Sequence, residues 1–207
     1  MKHFLEPGRT ARMQEVTKEP IDVSAAMREL DAQPELWNTV KLRTEAYGTP
    51  FNKTDDIWVR MNALKNYNPK KPAKFLAEHH SVWYPAYDKL PAFRPLILGL
   101  MPLVAGEELG GVLITRIPAG CRVPPHQDKA WHVTYYNHKF AVMLRANEAQ
   151  DFCFEGETMK AVTGEIFEFD NNYTHWITND SDEERITLIV CVHTSEVGGR
   201  QKTSGAV

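Results

Sequence analysis

The run Arg185-Ile-Thr-Leu-Ile-Val-Cys-Val192 is the strongest strand signal in the chain, and the fold can be worked out from it. Its side chains are mostly β-branched or otherwise apolar, which is typical of a strand. Because successive side chains alternate between the two faces of a strand, Arg185, Thr187 and Ile189 share one face. A guanidinium therefore sits on a face that also carries apolar side chains.

Similar apolar runs precede this one, back to Gly110. They are rich in Val, Ile, Phe and Thr, recur about every ten residues and are separated by Gly, Pro, Asn or Asp, which is typical of an all-β sandwich or barrel. The runs span residues 111–117, 139–145, 152–154, 165–169 and 185–192.

The first half of the chain has a mixed pattern that predicts helices and strands. Ser24 is a candidate N-cap, and prolines precede two further helical segments. Arg43 and Arg60 lie near the ends of two predicted strands, where a cation can meet an anionic substrate, and we take Arg60 as the candidate contact. The predicted elements are helical segments over 25–36, 72–80 and 93–104 and strands over 38–43 and 56–61.

Length and composition indicate one soluble domain. The 207 residues are 43 % hydrophobic and 25 % charged, near the averages for globular proteins. We predict a single domain over 1–207, in which 1–105 frames a barrel core at 106–195 and 196–207 is a flexible tail.

Charge and cysteine usage narrow the classes of partner. A net charge of -3 gives no broad basic surface for phosphates, which argues against nucleic acid. The three cysteines form no Cys-x-x-Cys pair, which argues against a disulfide framework and for a reducing compartment. With neither a signal pattern nor an apolar run long enough to cross a bilayer, we expect a cytoplasmic protein that does not enter a membrane.

His126, Asp128 and His175 have a spacing that suits one metal ion. His126 and Asp128 are two positions apart, so on an extended segment both side chains leave the same face. His175 follows the predicted strand 165–169 and a turn at 170–172 that can return it over the first pair. Two imidazoles and one carboxylate on one side of an ion form the arrangement found in non-haem Fe(II) oxygenases. We therefore predict a mononuclear metal site.

Arg185 follows His175 by ten residues. A guanidinium inside a barrel is costly unless an anion pairs with it, and a carboxylate bound through two parallel hydrogen bonds is the best partner. The alternative is that Arg185 pairs at the surface with Glu183 or Glu184.

His138 begins a row with Phe140, Val142 and Leu144 that we predict to face the barrel interior, with Lys139 on the opposite face. Two interpretations stay open: a histidine satisfied within the core, or a hydrogen-bond donor to a carboxylate of a bound cosubstrate.

Two segments together carry a family resemblance. The aspartyl/asparaginyl β-hydroxylase-like branch of the 2-oxoglutarate and Fe(II)-dependent oxygenases is similar to residues 110–194 in its proline-flanked histidine, its Phe-Asp-Asn before the second histidine and the arginine that follows. The resemblance implies a double-stranded β-helix, a jelly-roll and cupin-like barrel that is mainly β with flanking helices. The segments are Leu113-Ile-Thr-Arg-Ile-Pro-Ala-Gly-Cys-Arg-Val-Pro-Pro-His-Gln-Asp128 and Gly164-Glu-Ile-Phe-Glu-Phe-Asp-Asn-Asn-Tyr-Thr-His-Trp-Ile-Thr-Asn-Asp-Ser-Asp-Glu-Glu-Arg-Ile-Thr-Leu188.

The resemblance also implies an activity: an Fe(II)-dependent dioxygenase that hydroxylates an amino acid, free or within a peptide or protein, and decarboxylates 2-oxoglutarate to succinate with O2. His126 and His175 are the implied iron ligands, and Arg185 is implied to hold the distal carboxylate of 2-oxoglutarate. His138 matches a family histidine near the other carboxylate of this cosubstrate.

The chain departs from the family pattern at two positions. Tyr136 stands where the family usually has an arginine, and Asp128 supplies a metal carboxylate that the founding members lack. We take Arg60, Trp131 and His132 as candidate contacts to the substrate.

Other functions fit the same barrel. A cupin-type metal-binding protein or a non-oxidative metalloenzyme with zinc or manganese is one alternative, although such cupins usually carry His-x-His and a glutamate in place of His-x-Asp. A non-catalytic ligand-binding barrel and an oxygenase that modifies nucleic acid are the others.

Overall fold

Two antiparallel β-sheets form the framework of the protein in the computed structural model, which describes residues 12–17, 19–160 and 162–195. The larger sheet has the order β1-β9-β6-β11-β4-β2-β3 and the smaller one β5-β10-β7-β8. This is the double-stranded β-helix that the sequence predicted. The strands are β1 (Met13–Glu15), β2 (Asp55–Met61), β3 (Val82–Trp83), β4 (Glu108–Ile117), β5 (Arg122–His126), β6 (His138–Arg145), β7 (Gln150–Phe154), β8 (Glu157–Lys160), β9 (Ile166–Phe169), β10 (His175–Asn179) and β11 (Arg185–His193).

Short helices flank the sheets and come mainly from the first half of the chain. The α-helices are α1 (Ser24–Asp31), α2 (Ala86–Lys89), α3 (Arg94–Leu98) and α4 (Trp131–Thr134), and 3₁₀ turns lie at Pro34–Leu36, Leu64–Asn66, Pro72–Leu76, Pro91–Phe93 and Pro102–Val104.

The main hydrophobic core lies between the larger sheet and the helices of the first half. Leu30 of α1 and Ile97 of α3 pack in one cluster with Val142 of β6 and Leu188 of β11. A second, smaller cluster fills the space between the two sheets and includes Phe152 of β7. The larger sheet is thus covered on both faces, which explains why its strands read as nearly continuous apolar runs.

The covering of both faces also explains an error in the prediction for β6. The row Phe140, Val142 and Leu144 faces the helices, not the barrel interior, and Met143 of the alternate row packs between the sheets. Because both rows are apolar, the pattern alone does not show which of them faces inward. His138 belongs to the row that faces away from the barrel interior.

The predicted strand 38–43 is wrong, whereas the predicted strand 56–61 is confirmed as β2. Asn38 adopts a φ of 58°, in the left-handed region, and its backbone N–H donates to the Asp56 carbonyl at 2.8 Å. Val40 and Leu42 pack against the cluster around Trp58. Their alternation therefore reflects packing of a turn-rich segment and not pairing in a sheet.

The predicted helices are shorter than expected because prolines interrupt them. The helix predicted over 25–36 ends at Asp31, since residue 33 precedes Pro34 and is held out of the helical region. Asp22, and not Ser24, supplies the side chain at its start, where Oδ1 accepts from the Ser24 N–H at 2.8 Å.

The segments predicted over 72–80 and 93–104 contain only the 3₁₀ turns and α3 given above. The predicted tail at 196–207 lies outside the described residues, and the single-domain division stays a prediction.

Candidate active site

The two candidate imidazole ligands face each other across two paired strands. His126 ends β5 and His175 begins β10, and the antiparallel register makes them direct partners with ring centroids 4.4 Å apart. Asp128 follows β5 by two residues. One ligand atom from each of the three residues lies within 4.8 Å of the others. The structure therefore brings together His126, Asp128 and His175, as the spacing predicted, and we call these three residues the metal set.

Backbone carbonyls orient both imidazoles in the same way. The Nδ1 atom of His126 lies 2.9 Å from the Pro124 carbonyl, and Nδ1 of His175 lies 2.9 Å from the Tyr173 carbonyl. Each Nδ1–H donates to its carbonyl, which leaves the Nε2 lone pair free for a metal. Burial lowers the pKa of His126 and lowers that of His175 to about 4. Both rings are therefore neutral at physiological pH, the state that binds a cation.

Asp128 is held through one of its two carboxylate oxygens. Lys139 Nζ and Asn171 Nδ2 both donate to Oδ2, the latter at 3.1 Å, whereas Oδ1 lies 4.0 Å from His126 Nε2. Burial would raise the pKa of Asp128, but the charge of Lys139 and the hydrogen bonds from Lys139 and Asn171 hold it below its ordinary value. The carboxylate is thus ionised, with Oδ1 directed to the imidazole pair.

A cavity of about 900 Å³ contains this set, and Arg185 lines the same cavity. Arg185 is 1 % exposed, and its Nε and Nη1 atoms donate to no residue in the described part of the chain. Its Nη2 atom lies 3.7 Å from the Met143 sulfur. Burial lowers the pKa of this guanidinium to about 10, so it is still charged at neutral pH. A buried cation with free donors is the expected environment for a bound carboxylate.

The residues present fit both an Fe(II) ion and an anionic cosubstrate. Two neutral imidazoles and one carboxylate are the ligand set of Fe(II) oxygenases, and the free guanidinium suits a carboxylate in the same cavity.

The family model of aspartyl/asparaginyl β-hydroxylase matches residues 12–194. The chain belongs to this family. Its members are 2-oxoglutarate- and Fe(II)-dependent hydroxylases, so the enzyme uses Fe(II), 2-oxoglutarate and O2. Among curated protein sequences, none matches the chain.

Solved structures share the fold of this β-hydroxylase family member. A 2OG-Fe(II) oxygenase family oxidoreductase from Burkholderia pseudomallei is 12 % identical, with 92 % of each chain covered and a TM-score of 0.59. A prolyl hydroxylase from Trichoplax adhaerens, solved with a hypoxia inducible factor peptide fragment, is 8 % identical, with 89 % of this chain and 84 % of that chain covered and a TM-score of 0.59. In the described part of the β-hydroxylase family member, no helix has the length and apolarity to span a bilayer.

Two residues at which the family pattern predicts cosubstrate contacts lie outside the cavity. His138 contacts Glu168 Oε1 at 2.7 Å and Thr194 Oγ1 at 3.2 Å through its two ring nitrogens. Tyr136 is fully buried and donates its hydroxyl to Glu108 at 3.2 Å. The structure therefore does not place His138 beside the metal set, because its side chain leaves β6 on the opposite face.

Two of the three candidate substrate contacts also lie elsewhere. The Arg60 Nε atom donates to the Leu109 carbonyl at 3.0 Å, and its guanidinium lies 4.9 Å from the Trp83 ring centroid. Trp131 donates Nε1–H to the His79 carbonyl at 3.2 Å. Neither Arg60 nor Trp131 lines the cavity.

His132 is the candidate contact that does line the cavity. Its Nε2 atom is buried and has no hydrogen-bond partner among the residues that the structure describes. Burial lowers the pKa of His132 to about 4. The ring is therefore neutral and offers one free nitrogen.

The cavity lining includes the cations Lys139 and Arg43, which were not among the predicted site residues. Lys139 faces the cavity, whereas we predicted it to face away, and the reason is the reversed orientation of β6. Arg43 lines the cavity, and Arg60 does not. Both arginines lie near the ends of predicted strands, so no local pattern in the sequence indicates which of them lines the cavity.

Proposed function

We propose that the enzyme hydroxylates an amino acid, free or within a peptide, with Fe(II) bound by His126, Asp128 and His175. Arg185 would hold the distal carboxylate of 2-oxoglutarate. The observation that carries the proposal is the buried guanidinium of Arg185, which has free donors in the same cavity as the metal set. A charged group in that position needs an anionic partner in the working enzyme.

When bound, the iron and 2-oxoglutarate supply the oxidising chemistry: O2 is consumed, 2-oxoglutarate becomes succinate and CO2, and a substrate C–H bond becomes C–OH. The residues of the chain position these reactants. The carbonyl partners of His126 and His175 keep both Nε2 atoms unprotonated, and Asn171 fixes the carboxylate plane of Asp128.

Apolar side chains around the metal set exclude water. Phe152 stacks on His175 at 5.6 Å between ring centroids, and Phe169 meets the same ring edge-on at 5.6 Å. Phe51 covers His126 in the same way, at 4.9 Å. A dry site strengthens each electrostatic contact and protects the reacting centre from bulk solvent.

Lys139, and not His138, would lie near the inner carboxylate of 2-oxoglutarate. Its ammonium already contacts the metal carboxylate of Asp128 and is only 15 % exposed. His132, with a free buried nitrogen, would hydrogen-bond the substrate.

The test is 2-oxoglutarate turnover. Purified protein with Fe(II), 2-oxoglutarate and air should form succinate, and mixtures of amino acids and peptides that contain a substrate should accelerate it. The variant His175→Ala should form none. Folded wild-type protein that forms no succinate would refute the proposal. Turnover of an added compound with zinc in place of iron and without O2 would favour the non-oxidative metalloenzyme.

A further inference from the structure

Arg43 reaches the cavity from the segment between α1 and β2 and is held there by a buried carboxylate. Its Nη1 atom donates to both oxygens of Asp56, each at 2.7 Å. Asp56 is fully buried and also accepts from the Thr115 hydroxyl at 2.9 Å. Nε and Nη2 of Arg43 donate to no residue in the described part of the chain. The side chain is thus fixed at one end and has free donors at the other.

An aromatic ring connects Arg43 to the metal set. The guanidinium carbon lies 3.3 Å from the Phe51 ring centroid, and that centroid lies 4.9 Å from the centroid of the His126 ring. Hydrogen bonds of Thr49 link Arg43 to Phe51 within this loop: the Thr49 hydroxyl donates to the Arg43 carbonyl at 2.7 Å and accepts from the Phe51 N–H at 3.2 Å. Because Phe51 is close to both the Arg43 guanidinium and the His126 ring, one small molecule can contact Arg43 and the metal set together.

The charges of the cavity favour an additional anion. Its lining carries the cations Arg43, Lys129, Lys139 and Arg185 and one carboxylate, Asp128. Asp56, behind the lining, already offsets the charge of Arg43. A divalent metal adds two positive charges, and Asp128 and the two carboxylates of 2-oxoglutarate do not offset all of the charge that remains. A substrate with a carboxylate of its own complements the surplus.

We propose that Arg43 binds the carboxylate of the substrate, so that the enzyme acts on a small free acid and not on a residue inside a peptide chain. An internal residue of a peptide has no main-chain carboxylate to offer. Trp58, Tyr67 and Phe75 also line the cavity and form the apolar wall against which the body of such an acid packs. The inference rests on the proposed function, because it assumes the iron and 2-oxoglutarate sites.

The experiment is an anaerobic titration of the enzyme loaded with Fe(II) and 2-oxoglutarate, whose metal-to-ligand absorption band responds to substrate near the iron. The probes are the standard free L-amino acids and their C-terminal carboxamides. At least one acid should shift the band, and its carboxamide should bind about tenfold or more weakly, because it lacks the charge that pairs with Arg43.

Variants separate a binding role from a structural one. Arg43→Gln should weaken the acid about tenfold or more with the affinity for 2-oxoglutarate unchanged, and Arg43→Lys should recover part of the loss. Arg116→Gln is the matched control, because Arg116 pairs with Asp55 at 2.8 Å and lies over Trp37 outside the cavity. If the buried Asp56 prevents folding of the first variant, Arg43→Gln with Asp56→Asn removes both charges.

Equal binding of acid and carboxamide, or wild-type affinity in the Arg43→Gln variant, would overturn the inference. So would a loaded enzyme whose band no free acid shifts. Those results leave the proposed function intact, since the band itself reports the iron and 2-oxoglutarate. Failure of the band to form would overturn both.

Discussion

His126 and His175 are opposite one another on antiparallel strands, and the β5–β10 ladder sets the 4.4 Å between their ring centroids. The register shifts between His175 and Ile177, so the irregularity lies directly next to the pair. A metal site built on paired strands is held more rigidly than one built on loops. Asp128, in the segment after β5, depends instead on hydrogen bonds from Lys139 and Asn171.

Replacing Arg185 with methionine should stabilise the protein and weaken cosubstrate binding. Two nitrogens of the buried guanidinium have no partner within the described residues, which costs stability, and methionine fills similar space without charge. We expect the free energy of unfolding of metal-free Arg185→Met to rise by about 1–3 kcal/mol in urea titrations. The affinity for 2-oxoglutarate, measured by calorimetry, should fall by about 2 kcal/mol or more. A destabilised variant that binds 2-oxoglutarate normally would contradict the assignment.

Lys139→Gln should weaken the binding of 2-oxoglutarate, whereas His138→Gln should lower the stability of the protein. The first removes a cavity cation and should weaken 2-oxoglutarate by about 1.5–3 kcal/mol. The second removes contacts to Glu168 and Thr194 and should lower stability by about 1 kcal/mol with little change in that affinity. Calorimetric titration of 2-oxoglutarate into both iron-loaded variants checks this. Weakened binding in the His138 variant alone would restore the role that the family resemblance implied.

His132 should make the protein less stable in mild acid. The unfolded chain takes up a proton on this ring below about pH 6.5, whereas burial delays protonation in the folded protein to about 4. The stability from the neutral ring is therefore complete above the unfolded pKa and is lost as the pH falls toward the folded one. In that window His132→Gln should reduce the slope of unfolding free energy against pH by about 1.4 kcal/mol per pH unit. Urea titrations at several pH values measure the slope, and an unchanged slope would contradict the burial of this ring.

The sequence predicted the fold class and the proximity of His126 to Asp128 because both depend on local patterns. Alternating apolar runs indicated the barrel, and the His-x-Asp spacing placed His126 and Asp128 on one face. Alternation along β11 placed Arg185 on one face with Thr187 and Ile189 but left a surface pair with Glu183 or Glu184 open, and the burial of Arg185 decides between the two. Strand pairing then brought in His175, which no local pattern determines.

Other features depended on contacts that the sequence does not show. The orientation of β6 was wrong because helices cover its outer face, and Lys139 was assigned to the wrong side as a result. The strand predicted at 38–43 is a turn-rich segment that packs on Trp58. The position of Arg43 depends on Asp56, a residue on β2 that is buried behind the cavity.

Anaerobic titration of Fe(II) into the protein with 2-oxoglutarate tests the central claim most directly. We predict one iron per chain and a metal-to-ligand absorption band in the wild type, and no iron binding in His175→Ala. The control is His193→Ala, which should bind iron as the wild type does. The His193 ring does not line the cavity and lies 2.8 Å from the Tyr135 carbonyl. Iron binding and an unaltered band in His175→Ala would contradict the assignment of the metal site.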